Sequence, residues 1–216
     1  AVLVPWFGGQ EAAAALAEVL LGDGHGPGGR LPMTWPRQLQ DGPCGAMPNE
    51  RYPGKGSKVD YGESLLVGYR WFQANNLEPA FAFGHGLSYA SFEYVGLCML
   101  GGSADSVHAG EHVEVVVTLR NVGKRSGTEV VQLYVSQVAA HSQHALKDCE
   151  HSVGKELAAF AKLTLEPGEV ADVVLSVPPA ALPAPTSGAP TKCALFVGSS
   201  SSHTPLEQRI SMKSAL

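Results

Sequence analysis

The 216-residue sequence is poor in aromatic side chains, at 7%, and in charged ones, at 16%. Twenty Asp and Glu outnumber fifteen Lys and Arg, the formal charge is -5, and no basic run occurs. Phosphate backbones are bound through clustered cations, so nucleic acid is not an expected partner. Long hydrophobic runs are also missing. The longest, Ala12 to Leu21, is interrupted by Glu18 and falls far short of the roughly 20 apolar residues of a membrane span. No membrane partner is expected, and the chain reads as soluble. The four cysteines, Cys44, Cys98, Cys149 and Cys193, form no CxxC pair. Neither a zinc ribbon nor a redox couple is signalled, and buried free thiols are the expectation. No N-x-[ST] signal occurs, which leaves secretion unmarked. The opening "AVLVPWFGG" has neither a starting Met nor a charged leader, and reads as a chain entered in mid-protein.

What is present falls into two textures. At the start, "AVLVPWF" is a short apolar run that predicts a buried strand, and Gly8-Gly9 predicts a turn. "QEAAAALAEVLLGD" is rich in Ala and Leu and predicts a helix stopped by Gly22. "GRLPMTWP" then reads as a second short strand halted by Pro36, which makes the opening an α/β remnant of βαβ type. Arg37 to Glu63 carries Pro, Gly, Asn and charge without either hydrophobic period, so a long irregular excursion is expected.

"FAFGHGLSYASFEY", residues 81–94, holds five aromatic rings in fourteen residues and sets His85 between Gly84 and Gly86. The two glycines permit positive φ on either side of the histidine, so that the chain can turn while the rings pack. After Phe92 the pattern becomes alternation. Val113, Val115, Val117 and Leu119 share one face, as do Val131, Leu133 and Val135, and then Ala171, Val173, Leu175 and Val177. Seven strands are expected: "SFEYVGLCML", "EHVEVVVTLRN", "EVVQLYVSQ", "GKELAAFAKLTL", the alternating run after "EPGE", "KCALFVG" and "LEQRISMK". That number suits an all-β sandwich of immunoglobulin or fibronectin type III kind. "VPPAALPAPTSGAP" is expected to be an exposed loop between two of the strands.

Few residues offer chemistry. Glu11 follows the glycine turn at a helix start, where it reads either as a general acid or as a carboxylate resting on the positive end of the helix dipole. Gly8-Gly9 is too short to cradle phosphate. His141, His144, Cys149 and His151 cluster in a polar stretch that matches no zinc spacing, and a solvated loop is the expectation. His85 has no partner carboxylate beside it in sequence. "GSSSS", residues 198–202, is no nucleophile elbow. The rings Tyr61, Tyr69, Trp71, Phe72, Phe81, Phe83, Tyr89, Phe92 and Tyr94 either line a rim that stacks on sugars or form a core between two domains.

Taken in order, "GGQEAAAALAEVLLGD", "GRLPMTWP", "VGYRWF", "FAFGHGLSY", "NVGKRSGTEVVQLYV", "KELAAF" and "LEPGE" resemble the C-terminal part of a family 3 glycoside hydrolase of β-glucosidase or β-xylosidase type. The resemblance covers almost the whole chain. It implies the end of an α/β sandwich domain over 1–60, an aromatic interdomain seam over 61–91, and a fibronectin type III-like sandwich over 92–216. It further implies a retaining enzyme acting on a β-linked oligosaccharide or glycoside, with its aspartate nucleophile in an N-terminal barrel and its acid/base glutamate earlier than "GGQE". No catalytic, cofactor-binding or metal residue is therefore assigned in this chain, Glu11 included, and no cofactor is expected. An extracellular or vacuolar location fits the same resemblance. The chain departs from the family pattern at Gly8-Gly9, at Ser152-Val153-Gly154 and in lacking a late Trp. The alternative is a free-standing fibronectin-like binding module, which ought not to carry the apolar Ala1–Pro36 segment.

Overall fold

The computed structural model describes residues 2–22, 26–46, 51–102, 104, 107–137, 154–185 and 190–214. Ala and Leu lose little conformational freedom in a helix, and α1 forms over Ala12–Leu21 as expected. Gly22 ends it in the left-handed region at φ 77°, and its N–H bonds to the Glu18 carbonyl at 2.9 Å. The flanking strands do not form. Residues 2–7 are irregular, with Val2, Trp6 and Phe7 exposed, because a parallel strand exists only where neighbouring strands take up its N–H and C=O groups. "GRLPMTWP" is likewise reduced to one bridge, in which Trp35 N–H donates to the Phe81 carbonyl at 2.8 Å.

Residues 37–46 and 51–66 are largely irregular, as their composition predicts, apart from a 3₁₀ turn at Leu39–Asp41 and the one-turn helix α2 at Pro43–Ala46. A short helix, α3, follows at Tyr69–Ala74. Among the described residues no helix is long and apolar enough to cross a membrane.

The seven expected strands are all present, as β1 (Phe92–Met99), β3 (Val113–Asn121), β4 (Gly127–Gln137), β5 (Glu156–Leu165), β6 (Val170–Val177), β7 (Thr191–Gly198) and β8 (Leu206–Lys213). An unexpected two-residue strand, β2 (Val107–His108), pairs in parallel with β8. One sheet has the order β1-β3-β6 and the other β2-β8-β7-β4-β5, and every pairing except β2 with β8 is antiparallel. The two sheets enclose one core. Val113, Val115, Val117 and Leu119 meet Val131, Leu133, Val135, Leu175, Val177, Leu195 and Val197 inside it, as period-two alternation demands. Asn121 closes the end of β3: its side-chain amide donates to the Arg125 and Leu165 carbonyls and its Oδ1 accepts from Gly123 N–H.

The proline-rich insert is not wholly an exposed loop. Leu182 and Pro183 are buried, and Leu182 joins the core as a plug after Val177. The thiols differ from expectation too. Cys193 is buried, whereas Cys44 and Cys98 are free and exposed. Cys98 alternates outward along β1, and Cys44 sits on a helix too short to bury a face.

Candidate functional site

The face of β4 that points away from the core should be polar and wet in an ordinary sandwich. Here Gln132 and Tyr134 on that face are buried, because the segment from Tyr69 to Ala90 lies over it. Tyr69 of α3 stands edge-on to Tyr134, with ring centroids 5.8 Å apart, and packs on Phe83 at 5.3 Å. Tyr134 donates its hydroxyl proton to Gln132 Oε1, and Gln132 Nε2 donates to the Ser199 carbonyl at 2.7 Å. Ser201 N–H in turn donates to the Phe83 carbonyl at 2.9 Å. The serines of "GSSSS" are thus structural, with Ser200 and Ser201 both buried.

Gly84 is required here on two counts. Its φ is +84°, and a Cβ would come within 2.4 Å of Gln132 Nε2. Gly86 works differently from expectation. It does not adopt positive φ, but a Cβ there would meet the Gly29 carbonyl oxygen at 2.4 Å, so its lack of a side chain permits close backbone approach. His85 packs against Phe81 with centroids 5.2 Å apart, and its carbonyl accepts from Leu31 N–H.

A buried ion pair crosses the same seam. Arg30 donates to Glu129 Oε1 and to the Gly86 carbonyl, each at 2.9 Å, and the two side chains are only 8% and 5% exposed. Burial, reinforced by the Glu129 charge, raises the pKa of the neighbouring Tyr94 hydroxyl, so that it stays protonated. A second pair, Arg51 with Glu63 at 3.6 Å, pins the irregular segment, and the Arg51 guanidinium lies 5.9 Å from the Trp71 ring. Trp71 Nε1–H donates to the Asp41 carbonyl at 2.8 Å.

The aromatic set divides accordingly. Phe72 is buried, Tyr69, Trp71 and Phe83 are half-buried in the seam, and Phe92 and Tyr94 pack on the sandwich core. Phe81 and Tyr89 remain 40% and 43% exposed, and Tyr61 is fully at the surface. Tyr89 nevertheless ties α1 to the rest: its hydroxyl donates to the Leu20 carbonyl at 3.0 Å, and the Arg125 guanidinium lies 5.6 Å from its ring.

The chemistry open to these groups is limited. Glu63 and Glu129 are the buried carboxylates among the described residues, and each faces its own guanidinium. Glu11 is exposed at the N-cap of α1 and makes no side-chain capping bond. It borders an open hollow of about 670 Å³ with Leu3, Pro5, Leu16 and Val19. Among the described residues no group of three or more His, Cys, Asp and Glu could hold a metal. His141, His144, Cys149 and His151 lie outside the described residues. Arg30, Arg51, Glu63, Glu129 and Gln132 escape sequence reading because charged and amide residues on loops and outward strand positions ordinarily face water.

The fold and seam define a module in which a helix-bearing segment is bolted to a fibronectin-type sandwich. Residues 1–89 match the glycosyl hydrolase family 3 C-terminal domain, and residues 129–201 match a fibronectin type III-like domain. The chain is 40% identical to a β-glucosidase of Rhizobium radiobacter over 179 residues, covering 83% of this chain and 20% of that protein. It is 38% identical to thermostable β-glucosidase B of Acetivibrio thermocellus, over 82% of this chain and 21% of the relative. Among solved structures, β-glucosidase 3B from Thermotoga neapolitana in complex with glucose superposes with a TM-score of 0.75 at 34% identity, covering 95% of this chain and 27% of that one. The chain belongs to glycosyl hydrolase family 3 and corresponds to the C-terminal portion of its β-glucosidase-like members. It spans about a fifth of the length of the curated relatives it matches.

Proposed function

We propose that this chain is the structural C-terminal part of a retaining β-glucosidase-like hydrolase that removes terminal β-linked sugars, with the catalytic carboxylates supplied by residues other than these 216. The observation that carries the reading is that the two buried carboxylates among the described residues each face an arginine, Glu129 with Arg30 at 2.9 Å and Glu63 with Arg51 at 3.6 Å. Retaining hydrolysis needs two carboxyl groups about 5 to 5.5 Å apart, one ionised as nucleophile and one protonated as acid. A carboxylate held by its own guanidinium and walled in by seam residues fills neither role. The relatives' names support the reaction class.

The same proposal divides the chain into 1–60, the end of an α/β domain with its long loop, 61–91, the seam, and 92–216, the sandwich. Support comes from the first strand of the sandwich beginning at Phe92 and from the ring contacts and ion pairs gathered just before it. Partners follow from this reading: a β-linked glycoside as substrate, an N-terminal barrel domain, and the remainder of the α/β domain against the apolar surface around Leu3, Leu16 and Val19.

The test is release of a chromogenic phenol from an aryl β-glucoside. The 216-residue chain alone should release none, and the same chain joined to the barrel and remaining α/β part of a family 3 relative should turn over. Turnover by the chain alone that disappears on mutating Asp23, Asp41, Asp60, Asp105, Asp148 or Asp172 would place the active site here and end the proposal.

A further inference from the structure

β5 is the outer strand of the five-stranded sheet: it pairs with β4 on one side and, among the described residues, with no strand on the other. An edge of this kind presents free N–H and C=O groups that another extended chain can take up. At its entry the edge is occupied by side chains. Gln73 Oε1 accepts from Lys155 N–H at 2.9 Å, and Tyr69 Oη accepts from Leu157 N–H at 3.0 Å. The two donors are spaced by two residues, the repeat at which a strand aims its N–H groups to one side. Both acceptors lie on α3, and Arg70 from the same helix pairs with Glu156 between them. Immediately afterwards the register shifts, with Leu157 opposite Tyr134 and Ala159 opposite Leu133, so that Ala158 is the extra residue of a bulge. Around the bulge the edge is apolar as far as Phe160, before the exposed Lys162. Phe160 is 68% exposed, and a shallow hollow between β5 and β6 is lined by Ala158, Ala159, Phe160 and Val174 together with His112 and Ser176.

We infer that α3 is an edge cap for the sandwich: Gln73 and Tyr69 stand in for the missing neighbouring strand, and the strand they keep out is β5 of a second copy of this chain. A second copy is the relevant intruder because, once the cap is removed, an identical edge presents the same Lys155 and Leu157 donors and the same apolar stretch from Ala158 to Phe160, and two such edges match each other antiparallel about a two-fold axis. The inference concerns the fold and holds whatever the outcome of the glycoside assay.

Amide hydrogen exchange on the 216-residue chain tests it. Tyr69→Phe removes the hydroxyl and keeps the ring on Phe83 and Tyr134; it should speed exchange at Leu157 about three- to tenfold, the worth of one ordinary hydrogen bond. Gln73→Met should do the same at Lys155, and Gln73→Glu, which keeps an acceptor oxygen, should restore slow exchange there. The double variant Tyr69→Phe/Gln73→Met should self-associate in sedimentation velocity more strongly than the parent, and adding Phe160→Lys should reverse this by charging the edge. Unchanged exchange at both amides overturns the inference. So does a double variant that associates no more than the parent, or association that survives Phe160→Lys, since contact would then lie elsewhere.

Discussion

Helix α1 and strand β3 are both regular along their length, and they differ in what regularity achieves. Ten residues of α1 follow helix propensity closely, yet none of them is buried. Along the nine residues of β3, by contrast, Val113, Val115, Val117, Leu119 and Asn121 all disappear into the core. Local preference sufficed for the helix because its hydrogen bonds close within the segment. The strand formed because β1 and β6 flank it on both sides. What the helix lacks is an apolar partner. Leu20 and Leu21 stay exposed, and Tyr89 with the Arg30–Glu129 pair supplies specific attachment near it in place of broad burial.

The widest test of this contrast removes the attachment. Arg30→Met leaves Glu129 buried without its counter-charge and should cost about 3–5 kcal/mol, read as a lower midpoint in urea unfolding followed by strand circular dichroism. A loss below about 1 kcal/mol would mean that the segment is not bolted to the sandwich through this pair. Within the sandwich, Leu119→Ala opens a cavity in a close-packed interior and should cost about 2–5 kcal/mol by the same measurement.

Alkaline pH separates the regions more gently. Loss of hydration pushes the Cys193 thiol up to about 11 from its ordinary 9.0, and burial raises Tyr134 as well. Each group has a higher pKa folded than unfolded, so its contribution to stability is complete below the unfolded value and drains away as the pH rises. Stability should therefore fall above pH 9, by at most about 1.4 kcal/mol per pH unit for one titrating group. Cys193→Ala should flatten the interval from 9 to 10, below the ordinary tyrosine value of 10.0, and a slope that survives there would assign the effect elsewhere. The smallest effect belongs to α1, where Leu20→Ala on the exposed face should change the urea midpoint by less than about 0.5 kcal/mol. In a chain carrying the rest of the α/β domain the same substitution should become costly, and that difference would measure the missing partner directly.

Several elements were legible before any coordinates. Alternation in "EHVEVVVTLRN" and "EVVQLYVSQ" named the buried faces of β3 and β4, since a side-chain period of two admits only two faces. Gly22 marked the end of α1, where φ of 77° suits a residue without Cβ. The apolar run "AVLVPWF" misled because it describes what a segment would do among neighbours, and strands are made jointly. Cys44 and Cys98 misled for a related reason: a thiol's burial depends on which face its element presents.

By itself, then, the sequence determined helix α1, the order of the seven sandwich strands, their inward faces and the motifs that carry the family likeness, all of which depend on residues near one another along the chain. Tertiary structure alone decided that the outer face of β4 is covered, that Arg30 meets Glu129 across 99 positions, and that Gln73 and Tyr69 reach the edge of β5. A charge or an amide has the same chemistry on a wet surface as in a seam; only the folded chain determines whether water or a distant partner satisfies it.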